Sequence, residues 1–248
     1  MPPAHRISIF PDAQAAAKEL AARVAHSLRK KPSLVLGLPT GRTPLLLYAE
    51  LAKLAAAGGA DFSDATTFNL DEFYGIPSSH AGSYRSFMQR YLFDHVKIDE
   101  GRVHFLDGSA SNPVDEGCRY EKAIEDAGGI DLQILGIGSN GHIGFNEPAA
   151  SLEARTHLVT LKAETRRSNA ELFGGDPDAV PSRALSMGMA TILDARSIVL
   201  VATGYRKAAC VQKLVTGSIT TQLPASFLQL HHDVDIVLDE AAASKLTL

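Results

Sequence analysis

Five apolar runs of strand length are interleaved with longer stretches of helical periodicity, and this alternation restricts the fold more than any other feature of the chain. The runs cover residues 33–38, 66–70, 130–137, 197–202 and 234–238. They are continuous in Val, Ile and Leu rather than alternating with polar residues, as parallel strands covered on both faces require. The helical pattern falls on residues 12–28, 44–57, 83–92, 115–127, 185–194 and 206–216. In the first of these Leu20, Val24 and Leu28 recur at i, i+4, with Lys18, Glu19 and Arg23 on other faces. Asp12 follows Pro11 and is suited to cap that helix. The expectation is a single-domain α/β fold over residues 1–248, an open, doubly wound (Rossmann-like), mostly parallel sheet with helices on both faces. Residues 149–183 are the least regular region, with Gly174-Gly175-Asp176-Pro177-Asp178 between polar segments, and read as a mobile, lid-like insertion.

Composition narrows the class of function. With 45% hydrophobic and 21% charged residues over 248 positions, the chain has enough apolar side chains for a proper core. No apolar run approaches the roughly 20 residues needed to span a bilayer. The first residues, Met1-Pro2-Pro3-Ala4-His5-Arg6, lack the apolar stretch of a secretory signal. Cys118 and Cys210 are too few for a disulfide framework, so a cytoplasmic setting is expected and both read as small, buried apolar side chains. A formal net charge of −4 gives no electrostatic reason to expect nucleic acid or a membrane surface as partner.

Ligands of such sheets bind beyond the carboxyl ends of the strands, so the residues that follow each strand matter most. The first run leads into Gly37-Leu38-Pro39-Thr40-Gly41-Arg42-Thr43-Pro44. Gly41 permits a tight turn, Thr40 and Thr43 offer hydroxyls, and Pro44 suits the first helical turn. Free amides there would attract a phosphate. The segment is neither a Walker loop, lacking Gly-Lys-Ser/Thr, nor a GxGxxG turn. The second run ends in Asp71-Glu72, adjacent carboxylates that point in different directions, so at most one faces a ligand. A helix cap or solvated loop acid is the alternative reading for such a pair. The third run leads into Gly136-Ile137-Gly138-Ser139-Asn140-Gly141-His142-Ile143-Gly144-Phe145-Asn146-Glu147-Pro148. Its glycines let backbone approach a ligand closely, and an imidazole with a nearby carboxylate is a proton carrier near neutral pH. One His and one Glu make a poor metal site. After the fourth run, Lys207 sits at another strand-to-helix turn, where it can act as a point charge for phosphate or stand in solvent. His231-His232-Asp233 invites a metal reading, but adjacent side chains on an extended segment diverge, and His231 reads as structural.

The segments GLPTGRTP, FNLDEFYG, GSNGHIGFNEP, ALSMG and PASFLQLH resemble the glucosamine-6-phosphate deaminase family, in that family's order and over nearly the whole chain. The related 6-phosphogluconolactonases share the fold and a Gly-His element, without the continuation into Phe-Asn-Glu-Pro. The resemblance implies a small-molecule amino-sugar phosphate as substrate and chemistry needing neither metal nor organic cofactor. His142 would assist ring opening, Glu147 would orient and tune it, and Asp71 would take the proton from C2. Thr40, Gly41, Arg42, Thr43 and Lys207 would hold the 6-phosphate. Asn140 stands where some members carry aspartate, and its amide can position His142 without shuttling a proton. An arginine that helps to bind phosphate in other members aligns with Glu171, and Arg166 and Arg167 lie close by. At positions where allosteric members hold an acetylated sugar phosphate the chain has Ala150, His157 and Val159. The implied protein is a monomer or small homo-oligomer without such activation. A lactonase, a deaminase of another amino sugar and a non-catalytic sugar-phosphate sensor remain as alternatives.

Overall fold

The computed structural model describes residues 6–247; Met1–His5, most of the leader region read above, and Leu248 lie outside the described residues. In chain order the elements are β1 (Arg6–Phe10), α1 (Ala13–Lys30), β2 (Val35–Leu38), α2 (Pro44–Ala56), β3 (Thr66–Asn69), β4 (Asp71–Tyr74), α3 (Tyr84–Tyr91), β5 (Val103–His104), α4 (Pro113–Asp126), β6 (Leu132–Leu135), β7 (His157–Thr160), α5 (Ala163–Asn169), β8 (Arg183–Ser186), α6 (Met189–Leu193), β9 (Ser197–Ala202), α7 (Ala208–Thr216), β10 (Val234–Asp239) and α8 (Glu240–Ala243). Seven strands form one sheet in the order β1-β10-β9-β6-β2-β3-β5, and every pairing in it is parallel. The edge strand β1 pairs with β10 alone, with Ile7 opposite Ile236.

The apolar runs supply two cores at once because successive strand residues face opposite ways. Leu36, Leu132, Ile134, Val199, Val201 and Val237 join the layer under α1 and α2. Their neighbours Val35, Leu135, Ile198, Leu200, Ile236 and Leu238 join the layer under α4, α6, α7 and α8. The helix α1 starts where Asp12 accepts a hydrogen bond from the Ala15 amide at 2.8 Å, and Arg29 and Lys30 complement its dipole at the other end.

From β2 the chain proceeds outward through β3 to β5, and then returns to β6 on the other flank of β2. The strand order therefore reverses between β2 and β6, and the crevice above their carboxyl ends is where an open sheet of this kind takes its ligand. At Leu70 the chain leaves β3 and enters β4, which belongs to a second, antiparallel sheet in the order β4-β8-β7. Leu70 joins the two sheets: its amide donates to Leu38 and its carbonyl accepts from Met187 at 2.8 Å. The Tyr120 hydroxyl of α4 holds the Asn69 carbonyl at 2.7 Å just before this bend.

The second sheet departs from what the sequence suggests. Residues 149–183, read as an irregular insertion, carry β7 and α5, and Leu161 and Val180 pack with Phe73, Tyr84 and Phe145 in a small third core. The helix expected over 185–194 is instead the end of β8, a Gly188 break and the short α6. Gly188 is pressed so closely on Ala154 and Arg155 that a Cβ would lie 2.3 Å from the Arg155 carbonyl oxygen, so the backbone there follows a tertiary contact. β1, β4 and β5 are also absent from the apolar runs, and of the two cysteines expected to be buried only Cys210 is, Cys118 lying on an exposed face of α4.

Gly108 fixes the far end of β4, its carbonyl accepting from the Gly75 amide at 2.7 Å. A Cβ at this position would lie 2.1 Å from the Phe73 carbonyl oxygen, a backbone atom that cannot turn aside. Gly108→Ala is expected to cost about 1–3 kcal/mol of stability, read from the midpoint of denaturant unfolding.

Candidate active site

The loop after β2 begins with Pro39, whose carbonyl accepts from the buried Tyr48 hydroxyl of α2. Gly41 has φ of +98°, a conformation that favours glycine. Thr43 makes no capping bond at the start of α2, Pro44 occupies the first turn and the Leu45 amide returns to the Arg42 carbonyl at 3.3 Å, so an anion here would meet the positive end of the helix dipole. Thr40 reaches the next strand end, its hydroxyl 3.4 Å from Asp71 Oδ1. Arg42 points outward and pairs with Glu171 at 2.6 Å, both side chains more than 70% exposed.

Asp71 and Glu72 do take opposite directions. Glu72 turns away and accepts from the amides of Phe73, Tyr84 and Arg85 at 2.8–2.9 Å, closing the start of α3 beside the Ser83 cap. Burial lifts its carboxyl to about 7 against the pull of those amides. Asp71 is only 6% exposed and has no cation beside it. Burial first, and then the neighbouring Glu72 charge, push it up to about 8, with the Thr40 hydroxyl acting the other way. Gly144 closes over it: a Cβ there would lie 3.5 Å from Asp71 Oδ2 and 3.0 Å from Ser186 Oγ.

The loop after β6 folds on itself through bonds from Gly138 N to the His142 carbonyl (2.9 Å) and from Gly141 N to the Gly138 carbonyl (3.0 Å). Gly138 must be glycine, because a Cβ would fall 2.2 Å from the His142 ring. Asn140 Oδ1 accepts from the His142 amide at 3.2 Å and faces His142 Nδ1 at 2.7 Å. An accepting amide oxygen places the ring proton on Nδ1 and leaves Nε2 with a free lone pair. Burial lowers the His142 pKa to about 4; Glu147 opposes this, while Lys207 and Lys162 add to it. The ring is therefore neutral near pH 7.

Glu147 is buried, accepts from the Thr165 hydroxyl through Oε1, and has Oε2 3.4 Å from Lys162 Nζ. The contact that orients His142 thus comes from Asn140, whereas Glu147, expected to orient it, reaches it through charge. Lys207 lies in the turn between β9 and α7, its pKa lowered by burial and by Arg206. That turn is anchored where the Gly204 amide donates to both oxygens of Asp239, at 3.0 and 2.9 Å, while Asp239 Oδ1 also caps α8 through Ala242.

Around the switch point Thr40 meets Asp71, Asn140 meets His142, and the charges of Glu147 and Lys207 act on the His142 ring, while Arg42 pairs with Glu171 in solvent. His231 takes no part: its ring bonds the Ala195 carbonyl at 2.7 Å and the Asp233 amide at 3.1 Å, as a structural residue does. Among the described residues no group of three or more His, Cys, Asp or Glu is placed to hold a metal ion. Sequence reasoning missed Thr165, which holds Glu147 from α5, and Ser186, which accepts from the Phe145 amide at 3.1 Å. Both arrive from the second sheet region, and no local pattern marks them. Asn146 was within reach, lying inside the Phe-Asn-Glu-Pro segment; its Nδ2 donates to the Ile143 and Met187 carbonyls at 2.9 and 2.8 Å.

A family model described as glucosamine-6-phosphate isomerases/6-phosphogluconolactonase matches residues 11–237. A glucosamine-6-phosphate deaminase of Rhodopirellula baltica is 50% identical over 240 residues, 97% of this chain and 95% of that protein. The solved structure of a monomeric glucosamine-6-phosphate deaminase superposes with a TM-score of 0.92 at 40% identity, covering 97% of this chain and 100% of the other. A 6-phosphogluconolactonase from Trypanosoma brucei, at 19% identity and a TM-score of 0.75 over 98% of this chain and 99% of its own, shares the fold. The chain belongs to the glucosamine-6-phosphate isomerase/6-phosphogluconolactonase family.

Proposed function

We propose that this protein is a glucosamine-6-phosphate deaminase, converting glucosamine 6-phosphate and water to fructose 6-phosphate and ammonia. The observation that carries the reading is Asp71, a buried carboxyl without a counter-cation, set at the switch point beside the His142 loop. Proton abstraction next to a carbonyl needs such a base, whereas lactone hydrolysis proceeds with a histidine-activated water. Full-length relatives near 50% identity carry the deaminase name.

The geometry supports a division of labour. Thr40, Gly41, Arg42, Thr43 and Lys207 hold the 6-phosphate at the start of α2. His142, neutral and with Nε2 free, takes the proton of the anomeric hydroxyl and returns it to the ring oxygen, which opens the sugar to the aldehyde. Asn140 keeps the ring in that tautomer, and the charge of Glu147 stabilises the transient imidazolium. Asp71, ionised, removes the C2 proton to give an enol that still carries the nitrogen. Reprotonation at C1 leaves an imine at C2, and water converts it to the ketone with loss of ammonia. A carboxylate with its pKa raised to about 8 is a far better match to a C–H acid than a solvated one. The chain acts as one catalytic unit, in the cytoplasm, as a monomer or small oligomer; no helix among the described residues is long and apolar enough to cross a membrane.

Three outcomes are expected. Asp71→Asn should lower kcat by about 10²–10⁴-fold, with ammonia and fructose 6-phosphate lost in equal measure. Retention of lactone hydrolysis by this variant would favour the lactonase. The same substitution tests linkage. The folded pKa of Asp71, about 8, lies above its ordinary value of 3.8, so its contribution to stability is most favourable below the lower value and is lost as pH rises through the upper. The melting temperature gained by Asp71→Asn should accordingly grow from pH 4 to pH 8. Finally, with Ala150, His157 and Val159 lining the β7 region, N-acetylglucosamine 6-phosphate should leave the substrate saturation curve hyperbolic and unshifted.

A further inference from the structure

We propose that Glu171 is an affinity-determining residue that competes with the substrate's phosphate for Arg42; this rests on the reading of residues 40–43 as the phosphate cradle. Arg42 is the single cation of that loop, and its guanidinium is 2.6 Å from the Glu171 carboxylate. Glu171 does not reach it from a free loop. It belongs to a one-turn segment, Ala170–Phe173, that continues α5 and is seated on the body of the protein. Ala170 is buried, and the Asn169 side chain accepts from the Tyr84 hydroxyl at 3.0 Å. Phe173 packs edge-on against Phe73 at 5.2 Å and stacks on His80 at 5.5 Å. A Cβ at Gly82 would lie 2.8 Å from the Leu172 carbonyl oxygen, so the segment is in close backbone contact with the start of α3.

A carboxylate fixed in this way has two effects on a phosphate arriving at Thr40–Thr43. It engages one guanidinium nitrogen of Arg42, Nη2, and it adds a like charge beside the loop. Both side chains are more than 70% exposed, so the pair is weak and a dianion can displace it. Lys207, which burial and Arg206 hold below the usual lysine range, has no carboxylate among the causes of its shift, so Glu171 bears on the Arg42 side of the cradle. Glu171 thus weakens the ground-state grip on the phosphate while leaving the chemistry at C1 and C2 to Asp71 and His142.

The test is titration calorimetry of the full chain with inorganic phosphate, alongside KM and kcat for glucosamine 6-phosphate. Glu171→Gln should tighten phosphate binding and lower KM by about two- to fivefold, with a smaller change in kcat, which is the range of an exposed ion pair. Glu171→Arg should tighten both by roughly tenfold, as a reversed charge against a dianion does in high dielectric. In an Arg42→Gln background the Glu171→Gln gain should shrink. Equal phosphate affinity in wild type and both variants would overturn the proposal while leaving the cradle intact. Weaker binding in Glu171→Gln would overturn it too, by showing that the carboxylate holds Arg42 in place for phosphate. Absence of phosphate binding in all three proteins would remove the cradle itself and the proposal with it.

Discussion

The structure is organised around a carboxyl group that is buried without a cation. Water would stabilise ionised Asp71, and the fold denies it that solvent. Its carboxyl has the Thr40 hydroxyl at 3.4 Å, and the rest of what holds the residue is backbone pairing and contacts of its neighbours. Leu70 bonds to β2 on one side and to Met187 on the other, the Tyr120 hydroxyl holds the preceding carbonyl, and pairing with Ser186 sets the register of β4. The second sheet is best understood as the device that keeps this residue at the crevice while excluding solvent. Its small aromatic core of Phe73, Tyr84 and Phe145 stands directly behind the strand that begins with Asp71. Reactivity and stability pull in opposite directions at this point, as they often do where a strained or desolvated group performs chemistry.

The loop after β6 solves a complementary problem. A histidine that must stay neutral needs its ring proton fixed on one nitrogen, and Asn140 does this from two residues away within the same glycine-rich turn. Because the bonds are local, the imidazole and its partner move together if the loop moves. Glu147 is tied instead to Thr165 and Lys162 in and beside α5, so the electrostatic influence on the ring comes from a different element than its orientation. Separation of the two roles lets the proton affinity of His142 respond to the second sheet without disturbing the tautomer.

How much of this could be read from the chain depended on whether the signal was local. The run at 197–202 coincides with β9, three others contain β2, β3 and β6, and the run at 234–238 falls one residue short of β10, because strands covered on both faces need uninterrupted apolar sequence. β4, β7 and β8 gave no such signal. They are four residues each, β7 is only partly buried, and their partners lie far away in sequence, as Asp71 opposite Ser186 illustrates. The apolar stretch from Leu185 onward satisfies a helical pattern, yet pairing with β4 and β7 overrides it up to Ser186. In the site, glycine spacing and strand-end position marked Asp71, His142, Asn140 and the 40–43 turn. That Asn140, and not Glu147, contacts the imidazole is a matter of loop geometry that spacing alone does not encode.

The anchoring of the Lys207 turn by Asp239 ties the site to the order in which the chain is made. The carboxylate that holds Gly204 belongs to β10, which among the described residues is also the only strand that pairs with β1. While a ribosome is still adding residues, the segments carrying Asp71 and His142 have emerged, but the turn that presents the lysine has nothing to fasten to. The N-terminal strand meanwhile waits, unpaired, for residues more than two hundred positions later. Both ends of the chain are thus completed in one late event, the docking of β10 between β1 and β9, a contact of long sequence separation and correspondingly slow closure. A nascent chain would accordingly hold its acid and base before the lysine turn is fastened.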